Sequence, residues 1–370
     1  MPPQAEDTPL RIAVLVPHLD RGGVAVVAAD LANEMARRGH AVDLLALDAS
    51  GPFRGRAAAA VRVVGLGCRR ARQALPRLLG YLVRRRPDMV LGVAPHLNTL
   101  SLLATLPLLF ARPRVIVTEQ AALAAGAASW RDRLLLRLLP LTYRLAHRVV
   151  CCSEGIRREL VEDLGLPARR VVTIHNAVVG PQALADLERR VEDPWLAASE
   201  DPLVLTVGRL HPQKDQATLL RAFARLLARR PARLLVLGEG PERAALGALA
   251  GELGLGGRVR LAGQVPGALP YMKAARLFVL SSRYEGLPTV LIEALLAGLP
   301  VVSTDCPHGP REILEAGAYG TLVPVGDVEA LADAMARALD APRDPARQRE
   351  RAMAFTVEAA GDRYEALFRA

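Results

Sequence analysis

Residues 276–298, Arg-Leu-Phe-Val-Leu-Ser-Ser-Arg-Tyr-Glu-Gly-Leu-Pro-Thr-Val-Leu-Ile-Glu-Ala-Leu-Leu-Ala-Gly, pass from one apolar stretch through a short loop into another. The first stretch, ending at Ser282, is typical of a short buried strand. Leu287-Pro288 then opens an apolar helix that stops at Gly298, because proline favours the first positions of a helix and glycine ends one. A buried strand followed at once by a helix is the repeating unit of an α/β sheet.

Two carboxylates lie on either side of this turn. Glu285 is in the loop, and Glu293 is in the first turns of the helix. The helix amides of Thr289, Val290 and Leu291 point into the same crevice, and the start of a helix attracts anions. Carboxylates can bind hydroxyl groups while the helix start binds phosphate, so this turn suits a sugar nucleotide.

The first half of the chain repeats the same unit. A buried strand at Leu10–Pro17 precedes a Gly22-Gly23 loop, a helix at Val24–Arg38 and a strand at Ala41–Leu47. Further strands are predicted at Met89–Val93, Arg114–Thr118, Arg148–Ser153 and Arg170–His175. Alternating strands and helices indicate a parallel sheet.

A second sheet begins at Leu203, after a segment from Pro181 to Pro202 that is richer in charge and serves as an interdomain crossing. Its strands are predicted at Leu203–Gly208, Arg233–Gly238, Arg258–Ala262, Leu277–Ser281, Pro300–Thr304 and Gly320–Val323. The result is an α/β protein with two doubly wound sheets. Ligands of such sheets bind beyond the carboxyl ends of the strands, so the cleft between the halves is the expected site.

The excess of positive over negative charge lies in the first half of the chain. Through Gly180 there are 25 arginines, no lysine and 14 acidic residues, whereas the remainder has 23 basic and 24 acidic residues. Arg69-Arg70-Ala-Arg72, Arg84–Arg86 and the Leu- and Arg-rich segment Trp130–Arg148 could lie against anionic lipid. The alternative is a GC-rich genome that writes arginine for lysine on solvated faces. Nucleic acid is less favoured, because aromatic residues make up only 4% and no stacking motif accompanies the charge.

Other features point to a cytoplasmic protein. The longest apolar run, Leu97–Phe110, is too short to cross a bilayer. The N-terminal segment lacks the basic and apolar regions of a signal peptide. The four cysteines have no metal-binding spacing, and a reducing compartment fits them best.

Arg209 and Lys214 are candidate phosphate ligands. Arg209 follows the strand Leu203–Gly208, and Lys214 is one of two lysines beside 46 arginines. Where arginine is so strongly favoured, a retained lysine suggests a compact ammonium that contacts a phosphate oxygen. The alternative for Lys214 is an ordinary surface lysine.

Two features of the first half are weaker candidates. Gly22-Gly23 could let backbone amides approach a phosphate, or simply form a tight turn. His96 follows a strand and faces the same expected cleft, although a lone histidine is more often structural. No Gly-x-Gly-x-x-Gly fingerprint is present, which counts against a dehydrogenase. No Asp-x-Asp and no His/Cys cluster occurs, so no metal is expected and Arg209, Lys214 and helix amides would neutralise a diphosphate.

Together these motifs resemble family 4 of the retaining glycosyltransferases (glycosyl transferases group 1), over nearly the whole chain. Beside Gly22-Gly23 and the Glu285–Glu293 pair, the matching stretches are residues 150–155, 174–177, 207–215, 237–242 and 281–286. One departure is Asn176-Ala177, where the family usually has Asn-Gly.

The resemblance implies the GT-B fold, two Rossmann-like domains facing a central cleft. Residues 1–181 would bind the acceptor, residues 182–202 would link the domains, and residues 203–352 would bind the nucleotide-sugar donor. Residues 353–370 would form a C-terminal helix that packs back on the N-terminal domain.

The resemblance also implies roles for the site residues. Arg209 and Lys214 hold the diphosphate, Glu293 the ribose, and Glu285 the donor sugar near its anomeric carbon, either as a nucleophile or as a hydroxyl ligand. His96 matches the family's cleft histidine, and Gly286 lies in the matched motif. The implied donor contacts further include Gly22, Gly23, Gly238, Gly240, Val265, Thr289 and Val290.

The activity implied is retaining transfer of a hexose or N-acetylhexosamine from a nucleotide diphosphate sugar, with UDP favoured by residues 305–314. The acceptor would be a glycan or a lipid-linked saccharide, and no cofactor or metal would be required. The protein would be cytoplasmic, with peripheral contact to the inner membrane face. The alternatives are a GT-B sugar-nucleotide epimerase and a non-catalytic nucleotide-sugar-binding partner.

Overall fold

The computed structural model describes residues 8–19, 23–68, 71–123, 130–197 and 199–369. They divide into two compact units. The first comprises residues 1–177 together with residues 357–370, and the second comprises residues 178–356. Within the described ranges, no helix is both long enough and apolar enough to cross a bilayer.

The first unit is built on a parallel sheet with strand order β3-β2-β1-β4-β5-β6-β7. Its strands are β1 (Arg11–His18), β2 (Ala41–Asp48), β3 (Arg62–Gly65), β4 (Met89–Gly92), β5 (Arg114–Glu119), β6 (Arg148–Cys151) and β7 (Val171–Thr173). The strand order reverses between β1 and β4, and such a reversal opens a crevice at the carboxyl ends of the two strands.

The helices of the first unit connect these parallel strands. They are α1 (Gly23–Arg37), α2 (Ala71–Arg85), α3 (Pro95–Thr105), α4 (Trp130–Tyr143) and α5 (Glu154–Arg158), with the C-terminal helix α15 (Val357–Arg369) added from the far end of the chain. Short 3-10 or π turns lie at Pro52–Arg56, Leu106–Ala111, Glu159–Asp163 and Ala168–Arg170.

The C-terminal helix α15 packs on α1. Its buried side chains Tyr364 and Phe368 join the core that includes β1 and α1. Arg38, just beyond α1, forms ion pairs with Glu365 at 2.9 Å and with Asp362 at 2.7 Å. An apolar face and ionic contacts together hold this helix to the first unit.

A buried polar cluster joins three elements of the first unit. The Nδ2 of Asn98 on α3 donates to the main-chain oxygen of Thr118 at 2.9 Å and to Oε1 of Glu119 at 3.0 Å. Tyr143, at the end of α4, donates its hydroxyl to the same oxygen of Glu119. Burial raises the pKa of Glu119 to about 7 and Glu159 adds to the rise, although the bonds from Tyr143 and Asn98 oppose it.

Replacing Glu119 with glutamine should remove a pH-dependent part of the stability. A carboxyl whose pKa is higher in the folded than in the unfolded state contributes most at low pH, and loses that contribution between about pH 4.5 and about pH 7. The difference in unfolding free energy between wild type and variant should therefore fall by about 2–3 kcal/mol over this range. Urea unfolding across it measures the difference. The exposed Glu162→Gln is the control, and equal pH dependence of both variants would contradict the prediction.

The second unit has its own parallel sheet, with strand order β10-β9-β8-β11-β12-β13. Its strands are β8 (Leu203–Val207), β9 (Arg233–Leu237), β10 (Val259–Gly263), β11 (Leu277–Leu280), β12 (Val301–Thr304) and β13 (Thr321–Val323). The order reverses between β8 and β11.

The helices of the second unit cover this sheet and complete its core. They are α6 (Pro181–Glu188), α7 (Pro194–Ala197), α8 (Gln216–Leu227), α9 (Arg243–Glu252), α10 (Leu269–Ala274), α11 (Thr289–Leu296), α12 (Pro310–Ile313), α13 (Val328–Asp340) and α14 (Pro345–Ala352), with 3-10 turns at Glu315–Gly317 and Met353–Phe355. The apolar faces of α8 and α13 pack together, with Phe223 and Met335 fully buried.

Each strand predicted from the sequence is present within a few residues of its expected bounds, so the doubly wound α/β prediction is confirmed. Elements without a counterpart among the predictions include the edge strand β3 and the helices α2 and α13. Helix α2 contains Pro76, which normally argues against a helix interior. The start of α13 did carry a sequence signal, because aspartate is favoured directly before a helix. The side chain of Asp327 accepts a hydrogen bond from the amide of Ala330 at 2.9 Å.

Candidate active site

The candidate site of the second unit lies where its strand order reverses. β8 and β11 are hydrogen-bonded neighbours, with Val204 beside Leu277 and Leu205 beside Phe278. The loops that leave their carboxyl ends, residues 208–215 and 281–288, therefore run side by side. These two loops carry the predicted Arg209, Lys214 and Glu285.

The structure brings Lys214 and Glu285 into direct contact. The Nζ of Lys214 lies 2.5 Å from Oε1 of Glu285. The hydroxyl of Ser282 donates to the same carboxylate oxygen at 2.5 Å. The side chains of Lys214 and Glu285 are 19% and 6% exposed, so most of this ion pair is shielded from water. Burial and these contacts therefore hold both charged groups in place.

Main-chain contacts lock the two loops together. The amide of Arg283 donates to the carbonyl oxygen of Gln213 at 2.8 Å, and Nε2 of Gln213 donates to that of Tyr284 at 2.9 Å. The hydroxyl of Ser281 donates to the carbonyl oxygen of Lys214 at 2.8 Å. The positions of Lys214 and Glu285 therefore depend on each other's loop.

Asp215 starts α8 and joins the same arrangement. Its backbone is left-handed, with φ of 47°, and its buried side chain accepts from the amide of Thr218 at 3.4 Å and from Nε of Arg283 at 3.0 Å. A non-glycine residue in this conformation is uncommon and marks a constrained turn. The constraint holds Lys214 directly before the first turn of the helix.

Arg209 sits at the exposed end of the β8 loop. Its main-chain oxygen accepts from Nε2 of Gln216 at 3.1 Å. Its side chain reaches the surface without an acidic partner in the parts of the chain that are described. The main chain of Arg209 is thus held in place, while its exposed guanidinium is accessible to an incoming anion.

Gly238 and Gly240 allow the loops after β8 and β9 to touch backbone to backbone. A Cβ on Gly238 would lie 2.0 Å from the carbonyl oxygen of Gly208, and one on Gly240 would lie 2.2 Å from that of Leu210. The amide of Gly238 also donates to the carbonyl oxygen of Gly263 at 2.8 Å, two residues before the half-buried Val265. These residues form one continuous backbone wall beside the β8 loop.

Replacing Gly240 with alanine should destabilise the second unit by about 2 kcal/mol or more, because the new methyl group would meet backbone that cannot rotate away. Gly247→Ala is the matched control. It lies in α9 with no atom within 4 Å of the added methyl group, and should stabilise the helix by about 0.5–1 kcal/mol. Urea unfolding of both variants tests this contrast. Equal stabilities would show that the β8 and β9 loops are not packed as described.

The first turn of α11 supplies main-chain donors. Pro288 precedes it without a side-chain cap, and Thr289 and Val290 are half-buried. Amides in the first turn of a helix lack an intrahelical partner and can bind anions. Gly286 is buried beneath Gly309, where a Cβ would lie 2.8 Å from the Gly286 oxygen. Glu293 is half-buried one turn after Thr289, so both lie on one face of α11.

Cys306 lies beside Glu285 but is not a nucleophile. Burial, together with the charge of Glu285, raises the pKa of its thiol to about 12. The thiol therefore stays protonated near neutral pH, and nucleophilic chemistry needs the thiolate. Glu285 itself is anchored to this segment, because its amide donates to the carbonyl oxygen of Pro307 at 3.0 Å.

The remaining predicted residues lie in the first unit. His96 is the second residue of α3, after β4, and Gly23 begins α1, after β1. Gly22 lies outside the described residues. His96 is exposed by area, yet neighbouring protein removes enough hydration to lower its pKa, and the nearby His18 lowers it further. A neutral imidazole at physiological pH can accept a hydrogen bond or a proton.

Two family models match consecutive parts of the chain. Residues 21–179 match the model described as Glycosyltransferase Family 4, and residues 189–355 match the model described as Glycosyl transferases group 1. The two matches together span most of both units.

The chain belongs to the family 4 (group 1) glycosyltransferases.

Known relatives of this chain agree with the family assignment. A lipopolysaccharide core biosynthesis glycosyltransferase, LpsE of Rhizobium meliloti, is 36% identical over 52% of this chain and 54% of its own length. An N-acetylgalactosaminyltransferase of Campylobacter jejuni that acts on a diphospho-undecaprenol saccharide is 34% identical over 51% of this chain and 49% of its own. The chain thus spans about half the length of these curated relatives.

Solved structures confirm the GT-B fold predicted for this chain. HepE of Anabaena, solved in complex with UDP and glucose, superposes with a TM-score of 0.78 over 98% of this chain and 100% of that one, at 20% identity. At that identity the similarity concerns the fold.

Several neighbours of the predicted residues were not recognised from the sequence. Ser282 and Gln213 hold Glu285 and its loop, and His18 stands near His96. Ser282 and Gln213 lie in matched motifs, but only contacts between distant loops reveal their partners. The sequence did offer a signal for His18 in its position, because it ends β1 shortly before the glycine loop.

Proposed function

We propose that this chain is a retaining glycosyltransferase that moves a hexose or N-acetylhexosamine from a UDP-sugar to a glycan or lipid-linked saccharide, without a metal ion. The observation that carries the proposal is the shielded contact of Lys214, Glu285 and Ser282 at the strand-order reversal of the second unit. The activities of the Rhizobium and Campylobacter relatives, and the UDP and glucose in the HepE complex, support the substrate class.

The diphosphate would be held by cations and helix amides. Lys214 and the exposed Arg209 supply the charges, and the amides of Thr289 and Val290 supply main-chain donors. Charge that develops on the leaving diphosphate would be stabilised by groups already fixed in position. Gly22 and Gly23 are proposed as a further contact from the first unit.

The nucleoside would be held by a carboxylate and by the glycine wall. Glu293 on α11 is proposed to bind the ribose hydroxyls, since carboxylates accept hydrogen bonds from vicinal hydroxyl groups. Gly238, Gly240 and Val265 are proposed to line the base, because a backbone without side chains lets a flat ring approach. Gly286 would let the donor approach the loop before α11.

Glu285 is proposed to bind donor-sugar hydroxyls rather than to attack the anomeric carbon. Its Oε1 already accepts from Lys214 and Ser282, which stabilises the carboxylate and reduces its nucleophilicity. The bond from the anomeric carbon to the phosphate oxygen would break as the acceptor oxygen bonds on the same face. The acceptor's proton would pass to the leaving phosphate, so charge balances without a covalent enzyme intermediate. His96 would contribute a neutral imidazole.

The proposal is tested by incubating the purified chain with a panel of nucleotide sugars and a membrane extract, with and without EDTA. Release of UDP from a UDP-sugar, unaffected by EDTA, is expected, and NMR of the product should show the donor's anomeric configuration. An inverted product would refute the retaining mechanism. Failure to bind or hydrolyse any nucleotide sugar would refute the function, and isomerisation of the donor without acceptor would identify an epimerase instead.

The acceptor side would lie near an anionic membrane surface. Residues 69–148 contain 14 arginines and three acidic residues, which accounts for the whole positive excess of the first half. The same segment exposes six large apolar side chains in its described part: Val83, Leu103, Leu106, Leu138, Leu141 and Leu145. A segment that combines many basic residues with exposed apolar side chains has the composition that binds anionic lipid.

Leu141→Ser should weaken binding to vesicles that contain phosphatidylglycerol by about fivefold, because the 61% exposed leucine can no longer insert its apolar side chain. Leu184→Ser is the matched control, since this exposed leucine belongs to the second unit. Co-sedimentation measures both. Equal binding of the two variants and wild type would contradict the membrane proposal, as would binding independent of phosphatidylglycerol.

A further inference from the structure

The start of helix α3 is packed tightly against the end of β4. A Cβ on Gly92 would lie 2.6 Å from Oδ1 of Asn98 and 3.2 Å from its Cα, so only glycine permits this approach. Ala94 precedes the helix without a side-chain cap, and the amide of Asn98 donates to its carbonyl oxygen at 2.7 Å. His96 lies between these two residues. Its position therefore follows from whatever fixes Asn98.

Asn98 is fixed by polar groups on two other elements, because the two protons of its amide are shared among three nearby oxygens. It is fully buried, and its Nδ2 lies within 3.0 Å of the Thr118 carbonyl oxygen, Oε1 of Glu119 and the Tyr143 hydroxyl. These oxygens belong to β5 and to the end of α4. Glu119 and Tyr143 are themselves buried and bonded to each other. The first turns of α3 are thus attached to the sheet through one amide side chain.

We propose that Asn98, held by Glu119 and Tyr143, is a positioning residue for His96. The inference rests on the proposed function of His96. An imidazole that meets substrate must be held to a fraction of an ångström, and a helix start without a side-chain cap needs another anchor. The Asn98 side chain provides this anchor. Asn98 is two residues beyond His96, and its amide forms hydrogen bonds to β5 and to the end of α4.

The groups that surround Glu119 favour its uncharged form. Glu119 is faced by Tyr143 from α4, Asn98 from α3, Cys151 from β6 and Glu159 from the turn after α5. No described cation forms an ion pair with Glu119. The hydrogen bonds from Asn98 and Tyr143 need only an acceptor oxygen on residue 119. The neutral Glu119→Gln can therefore preserve them, whereas Glu119→Leu cannot.

The test is a double-mutant cycle on transfer from a UDP-sugar, using His96→Ala, Asn98→Leu and the double variant. Asn98→Leu should lower kcat by about 10-fold while the donor KM changes by less than about twofold, because most of the proposed donor contacts lie in the second unit. In the His96→Ala background, Asn98→Leu should change kcat by less than about twofold, since its effect passes through His96. Glu119→Gln should retain most of the activity that Glu119→Leu loses.

The outcomes separate this inference from the proposed function. Full activity of His96→Ala would refute the role of His96, and with it the need for positioning. Low activity of His96→Ala with an unchanged or fully additive Asn98→Leu would refute the positioning role alone. If Asn98→Leu does not fold by circular dichroism, Tyr143→Phe, which removes one hydroxyl, replaces it in the cycle with the same criteria.

Discussion

Replacing Lys214 with methionine should lower kcat/KM for glycosyl transfer by about 10²-fold and weaken binding of UDP. Methionine keeps the apolar stem that lies 3.5 Å from the Cβ position of Gly208, but removes the ammonium. One charge-assisted bond to the diphosphate is lost, at about 1.5–3 kcal/mol, and Glu285 loses its counter-ion. Steady-state kinetics and calorimetric titration with UDP measure the two effects.

The chain supplies its own control for this substitution. Lys273 is the second of its two lysines, and it pairs with Glu188 at 3.2 Å on an exposed part of the second unit. Lys273→Met should change kcat/KM by less than about twofold, because exposed ion pairs contribute little. Equal kinetics of Lys214→Met and Lys273→Met would remove Lys214 from the donor site.

Replacing Glu285 with glutamine should lower kcat by about 10²–10³-fold while binding of UDP is kept or strengthened. The amide has the size of the carboxylate and can still accept from Ser282, but it has no charge to stabilise a positive anomeric centre. Lys214, released from its counter-ion, would remain free to bind the diphosphate. In the same two assays, UDP affinity should therefore fall for Lys214→Met and be kept or rise for Glu285→Gln.

Glu329→Gln serves as the control for the carboxylate substitution. Glu329 is 58% exposed on α13 and pairs with Arg225 at 3.1 Å. Its replacement should leave kcat unchanged within about twofold. If Glu285→Gln retained normal turnover, Glu285 would have no role near the anomeric carbon. If it lost UDP binding together with turnover, Glu285 would act by supporting the donor site as a whole.

Most of the fold was predictable because its central strands are buried on both faces. Such strands appear as unbroken apolar runs, as in Leu203–Val207 and Leu277–Leu280. The edge strand β3 did not, since its residues Arg62 and Gly65 are exposed and its pattern resembles a loop. Helix α2 was hidden by Pro76, whose cost is outweighed by the buried face that this helix turns to the sheet.

The candidate site was predictable where a residue type was itself informative. Lys214 was conspicuous among arginines, and Glu285 stood before a helix opened by proline. Ser282 and Gln213 carry no such signal, because serine and glutamine are common in loops of every kind. Gln213 matters because its side chain donates to the carbonyl oxygen of Tyr284, 71 positions away. Ser282 matters because it donates to the same Glu285 oxygen that Lys214 contacts.

The sequence by itself determined the two sheets, the strand ends that carry function and the chemical character of the site. Apolar periodicity and turn residues act over short distances, and so they can be read from neighbouring letters. Only the tertiary structure decided that Lys214 and Ser282 contact the same oxygen of Glu285, and that Asn98 attaches the His96 turn to β5 and α4. Those contacts depend on which loops meet when parallel strands pair, and pairing joins residues far apart along the chain.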